Sequence, residues 1–272
     1  MKKSIIKSLL FISFSIIIFS CSKDDVISSN TGLDGYTKLK EGYAIGAATK
    51  VELWGKKSFF VGYNNVVVVL YDSVNPTKKI TNAHIYLRPM MTMKHTCPVE
   101  NPNETAVNEV FPGSISFIMA SMGADNFWTL GVSVHNHSTD KEGEVNFNIM
   151  VDNPAVSSLS VFTSQTPDST KYVLALIQPS APKVGINDIE FTLNRKESMM
   201  SFPAQDSCSI EINPEMPSMG HGSSGNVNPV GIGNGHYKGK VGFSMTGEWK
   251  INVVVKKNGA TISKNAFFNV TL

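Results

Sequence analysis

Two short stretches collect the side chains best suited to hold a ligand. Residues 214–221 read Pro-Glu-Met-Pro-Ser-Met-Gly-His, and residues 89–95 read Pro-Met-Met-Thr-Met-Lys-His. A thioether sulfur is soft and neutral. The set Met216, Met219 and His221, and likewise Met91, Met93 and His95, therefore favours Cu(I) or Ag(I) over Mg or Ca, and hard carboxylates are nearly absent from both stretches. The run from Met216 to His221 is short enough to close on one ion. His236, just before the returning strand, offers a fourth group, and Cys97, just beyond His95, would be a further soft donor if reduced. The same residues have a packing use: methionines crossing the end of a sheet make a flexible apolar plug, and Gly220, Gly222 and Gly225 make a mobile turn. Neither stretch offers the Cys and His quartet of a structural zinc site.

Elsewhere the chemistry is thinner. His135 and His137 sit at alternate positions near a strand end, about 7 Å apart, a spacing that could hold a metal; as polar residues on an outward strand face they also read as ordinary surface histidines. Glu100, Glu104 and Glu109 lie in a long Pro- and Asn-containing loop expected to be solvated, or to serve as a binding surface. There is no Gly-rich phosphate loop, nucleophile elbow, zincin helix or supported Ser, His, Asp grouping, so no enzymatic activity is expected.

The elements that must position these loops are strands. Residues 58–63, 66–71, 84–88, 114–119, 128–134 and 144–151 are short, rich in β-branched and aromatic side chains, and separated by turn residues, with no run at helical period. Alternation places Trp128, Leu130, Val132 and Val134 inward, and Met119 and Met245 with them toward the core.

The pattern repeats. Val61-Gly62-Tyr63-Asn64 returns as Val184-Gly185-Ile186-Asn187, Phe111, Gly113, Phe117 and Met119 return as Tyr237, Gly239, Phe243 and Met245, and Trp128 returns as Trp249. The fold class expected is all-β: two tandem Ig-like β-sandwich domains, 35–153 and 154–272, with 171–177 opening the second.

Ahead of them, Lys2, Lys3 and Lys7 precede an apolar run that ends in Ile18-Phe19-Ser20-Cys21. This is the charged and apolar pattern of a secretory signal, too short for a comfortable membrane span. It resembles the lipobox of bacterial lipoproteins, which implies a signal peptide over 1–20, lipidation of Cys21 and a tether over 21–34. Ser22-Lys23-Asp24-Asp25 resembles the export signal of Bacteroidota lipoproteins bound for the outer membrane and reads equally as a charged, solvated tether.

The whole chain of 272 residues carries a formal charge of +2, and removing the three signal lysines leaves −1, so no basic excess for nucleic acid remains. Cys97 and Cys208 fall in different repeats at non-equivalent places, which argues against a disulfide between them.

Pro214, Met216, Pro217, Met219, Gly220 and His221, followed by Tyr237, Gly239, Phe243, Met245, Gly247 and Trp249, resemble the YtkA-like domain family over about 185–255. Members are extracytoplasmic β-sandwiches related to FixH-type proteins, several of them occurring beside copper-handling proteins. The first copy departs from that pattern: Pro217 has no counterpart there, and Lys94 stands in place of Gly220.

The function expected is therefore a non-catalytic lipoprotein of the cell envelope, held to the membrane through Cys21, that binds or relays Cu(I) through its Met and His loops. The alternative is a cell-surface interaction or scaffolding module that binds an envelope protein or a glycan.

Overall fold

The structure is a computed structural model and describes residues 32–123, 126–167 and 169–272. Cys21, the signal segment and most of the tether lie outside the described residues.

The first half carries β1 (Thr37–Ala44), β2 (Thr49–Gly55), β3 (Gly62–Asp72), β4 (Lys79–Ile80), β5 (Ala83–Met91), β6 (Val99–Glu100), β7 (Phe111–Phe117), β8 (Trp128–Asn136) and β9 (Lys141–Ile149). The second carries β10 (Leu159–Thr163), β11 (Lys171–Gln178), β12 (Gly185–Lys196), β13 (Cys208–Met216), β14 (His221–Gly222), β15 (Val227–Gly233), β16 (His236–Phe243), β17 (Glu248–Lys257) and β18 (Ala260–Thr271). A single turn of 3-10 helix at Ile45–Ala47 is the one helical element among the described residues. The expectation of an all-β chain is met, and every named strand pair is antiparallel.

In the first half the sheet β1-β2-β3-β7-β6, with β4 on β3, faces the sheet β5-β8-β9. In the second half β10-β11-β12-β16-β15 faces β14-β13-β17-β18. Each pair of sheets closes on its own apolar core. The first gathers Leu53, Val68, Ile85, Phe117, Trp128 and Val132, and the second gathers Leu174, Phe191, Ile212, Phe243, Trp249 and Val253. Strand alternation is the cause: on β8 the residues Trp128, Leu130, Val132 and Val134 are buried, while Thr129, Ser133 and His135 face outward.

Two expected boundaries shift. Residues 58–63 and 66–71 are not separate strands, since β3 runs unbroken through Gly62–Asp72. The buried Asn64 explains the turn before it: its Nδ2 donates to the carbonyls of Phe60 and Gly62, each at 2.8 Å, and its Oδ1 accepts the Phe60 amide at 3.1 Å. The chain is thereby folded back at Phe60 and released into the ladder at Gly62. Asn187 does the same in the second half, donating to Lys183 at 2.7 Å and Gly185 at 3.0 Å and accepting the Lys183 amide at 3.0 Å. The partners correspond too, Gly62 pairing with Phe117 and Gly185 with Phe243. The second shift concerns 171–177: it lies in β11, but β10 precedes it and forms the edge of that sheet.

The long loop after His95 is not a free solvated excursion. Asn101 Oδ1 accepts the Leu87 amide at 2.8 Å, the Glu104 carbonyl accepts the Ala83 amide at 2.9 Å, and Ala106 donates to Thr81 at 2.9 Å. The loop thus runs along β5, the edge of its sheet, and covers ladder groups that would otherwise be exposed.

Candidate metal-binding site

Both Met and His turns begin at the last residue of a strand, Met91 of β5 and Met216 of β13. In the first, the Met91 carbonyl accepts the Lys94 amide at 2.8 Å, and the Met91 amide donates to the His95 carbonyl at 3.0 Å. In the second, the Met216 carbonyl accepts the amides of Met219 at 3.1 Å and Gly220 at 2.9 Å. Each turn needs one residue in the left-handed region, Lys94 at φ 59° and Gly220 at φ 65°. Glycine meets that requirement freely, whereas Lys94 does so against its own Cβ.

The turns separate their methionines. Met91 and Met216 are buried in the two cores, at 1% and 3% exposure, while Met93 and Met219 stand out at 52% and 62%. Gly247, at φ 132°, lies against Met216; a Cβ there would meet its Cε at 2.9 Å.

Both histidines instead meet a tryptophan. His95 packs edge-on against Trp128 with ring centroids 5.5 Å apart, and His221 against Trp249 at 5.7 Å. Each indole N–H then donates to the carbonyl of a further methionine, Trp128 to Met119 at 3.0 Å and Trp249 to Met245 at 3.1 Å.

Of these two methionines Met119 packs against the first core, as expected, and Met245 does not pack against the second. The alternation that would turn them inward ends with β7 at Phe117 and β16 at Phe243, so Met119 is half-buried and Met245 is exposed. In the first half the outcome is a direct contact: His95 Nε2 lies 3.0 Å from Met119 Sδ. His95 is itself buried, and that burial, with the positive charge of Lys196, holds its imidazole below the ordinary value and favours the neutral, ligating form. His221 is more open, and its Nδ1 lies 2.8 Å from the Gly222 carbonyl.

Other candidates go elsewhere. Cys97 and Cys208 are free thiols, and burial raises the Cys97 pKa well above its ordinary value, so it offers no ready thiolate. His236 is committed to carboxylates, Nε2 lying 3.0 Å from Glu100 and Nδ1 2.8 Å from Glu190. Glu109 pairs with Lys79 at 2.8 Å.

His135 and His137 gain a third imidazole. His84, directly opposite His135 in the β5–β8 register, completes a group in which one nitrogen from each ring lies within 4.8 Å of the others. His84 escapes a reading by spacing because it belongs to another strand far earlier in the chain. Only the strand register brings it there.

Residues 166–254 match the YtkA-like family. The matched part runs from before β11 into β17, so it holds Met216, Met219, His221, Met245 and Trp249, while the first Met and His stretch lies outside it. None of the curated proteins compared matches the chain.

Among solved structures, the chain is similar to InvD of Yersinia pseudotuberculosis, with 19% identity, 79% of this chain and 54% of that one covered, and a TM-score of 0.26. It is similar to FdeC, an Escherichia coli adhesin, at 14% identity, covering 86% and 65% of the two chains with a TM-score of 0.27. It is also similar to domains 5-6 of the S-layer protein SbsC, at 12% identity, covering 87% and 96% with a TM-score of 0.28. The chain thus spans about half of the Yersinia chain and just under two thirds of the Escherichia coli one.

Proposed function

We propose that this protein is a non-catalytic module of the cell envelope, tethered to the outer membrane through a lipid on Cys21, that binds or relays a soft monovalent ion of the Cu(I) type. The observation that carries the reading is the pairing of His95 Nε2 with Met119 Sδ at 3.0 Å. A neutral imidazole beside a thioether is the donor chemistry that Cu(I) prefers. Met93 stands exposed on the adjoining turn as a further thioether. Met91 underlies the turn from within the core. The second half repeats the turn and the ring packing, with Met216 buried, Met219 and Met245 exposed and His221 against Trp249, in the part that matches the YtkA-like family; its imidazole faces the Gly222 carbonyl in place of a thioether.

The test is a Cu(I) competition titration of the full mature chain against a chromophoric chelator. His95→Ala combined with Met119→Leu is expected to weaken binding by about tenfold or more, the scale on which sites respond to loss of a close partner. His221→Ala with Met219→Leu is expected to remove a second equivalent. Affinity that is weak and unchanged in both double variants would sink the reading.

A second reading, an interaction or scaffolding module, is favoured by one surface feature. Edge strand β15 exposes Val227, Val230 and Ile232, and Val184 and Ile186, just before and at the start of β12 on the far side of β16, are exposed as well. An open sheet edge rimmed with aliphatic side chains suits a protein partner that adds a strand better than it suits a glycan.

A further inference from the structure

Three imidazoles on the outer face of the first sandwich form a group separate from the Met and His turns. His84 leaves β5 outward, His135 leaves β8 outward directly opposite it, and His137 follows on the turn after β8. That turn is held by the buried Asn136, whose carbonyl accepts the amides of Thr139 at 3.2 Å and Asp140 at 2.8 Å and whose side chain accepts the Ser138 amide at 3.0 Å. The rings lie close together, with centroids 5.1 Å apart for His84 and His137 and 5.2 Å for His135 and His137.

Each ring also has an oxygen acceptor at one nitrogen. His84 Nε2 faces Glu104 Oε1 at 2.5 Å, His135 Nε2 faces Asp140 Oδ1 at 2.9 Å, and His137 Nδ1 faces Asn82 Oδ1 at 2.8 Å. A neutral imidazole facing a carboxylate or an amide oxygen donates its N–H there, so the other nitrogen keeps its lone pair. This is the arrangement by which metal-bound histidines are oriented and made more basic. Glu104 reaches the group because the loop that seals the edge of β5 anchors its backbone to Ala83.

The second sandwich supplies an internal control. In the same register Ser209 pairs with Lys256 where His84 pairs with His135, and Asn258 takes the place of His137. The scaffold therefore folds without the imidazoles.

We propose that His84, His135 and His137 bind a divalent transition-metal ion of the Zn²⁺ type. Three imidazole nitrogens with an open fourth position form a known donor set for Zn²⁺, and they lack the thioether that a soft monovalent ion selects. At Zn–N distances of about 2.0–2.1 Å, tetrahedral ligand atoms stand roughly 3.3 Å apart. The nitrogens here lie within 4.8 Å of one another, so modest side-chain rotation brings them to that spacing.

The experiment titrates the full chain with ZnCl₂, by calorimetry and by chelator competition, with MgCl₂ as the control. One saturating Zn²⁺ equivalent is expected, weakened about 100-fold or more by His84→Ala, His135→Ala or His137→Ala. Glu104→Gln, which keeps every ligand, is expected to weaken it about tenfold. His95→Ala with His221→Ala is expected to leave the Zn²⁺ affinity within about twofold, which separates this site from the soft-ion site. All these histidine positions of the cluster face outward, and retention of the wild-type circular dichroism spectrum shows that each variant is folded. Absence of saturable Zn²⁺ binding, or binding that the three histidine variants leave unchanged, would overturn the proposal.

Discussion

At the scale of single residues, the pivotal side chains are the two buried tryptophans. Each fills the end of a core and uses its indole N–H to hold the carbonyl of a methionine beyond the end of its strand. In the first half that hold keeps Met119 against His95. Trp128→Phe retains most of the apolar bulk but removes the donor, so a loss of about 1–2 kcal/mol in urea unfolding is expected, with weaker Cu(I) binding in the same variant. Unchanged stability and unchanged Cu(I) affinity would show that the bond does not position Met119.

At the scale of elements, Asn64 and Asn187 govern how the two long central strands begin. Both are buried, and both close a turn with the same donor and acceptor pattern. Replacement of either by alanine leaves buried backbone groups unpaired, and about 2 kcal/mol of destabilisation is expected from each. Asn64→Asp should also destabilise, because a carboxylate cannot donate to the Phe60 and Gly62 carbonyls. Because the two sites lie on strands of separate sheets, the double variant should lose about the sum of the two, as measured by denaturant unfolding. The repeated Val-Gly-x-Asn spacing was visible in the sequence. The role of the asparagine was not, because its partners are main-chain atoms whose positions depend on the turn it makes.

At the scale of the molecule, the two sandwiches meet through a polar contact. His236 of β16 sits between Glu100 of β6 and Glu190 of β12, and its ring lies edge-on to Tyr63 at 6.2 Å. The hydrogen bond to Glu100 raises the His236 pKa above its ordinary 6.5; burial opposes the shift, and the bond to Glu190 adds to it. A histidine whose folded pKa is raised contributes stability that is fully present below pH 6.5, and that contribution is lost as pH rises through the raised value. His95 acts in the opposite sense, since its lowered pKa costs stability as pH falls below 6.5. The melting temperature of wild type minus that of Glu100→Gln should therefore be larger at pH 6 than at pH 8. A difference independent of pH would remove His236 from the contact between the halves. A groove lined by Pro89, Thr96 and Cys97 from one half and Met200 and Phe202 from the other has a volume of about 750 Å³.

By itself the sequence determined that the chain is built of strands, which residues of β8 face inward, where the repeated landmarks fall, and that methionine and histidine gather at two turns. These are local properties, carried by a period of two and by turn residues. Only the tertiary structure decided that His95 meets Met119, that Met91 and Met216 are withdrawn into the cores, that His84 lies opposite His135, and that Glu100 and Glu104 are engaged at two different sites. Those contacts join segments far apart in the chain. They depend on the register of each strand, and a slip of one residue would turn every side chain to the other face.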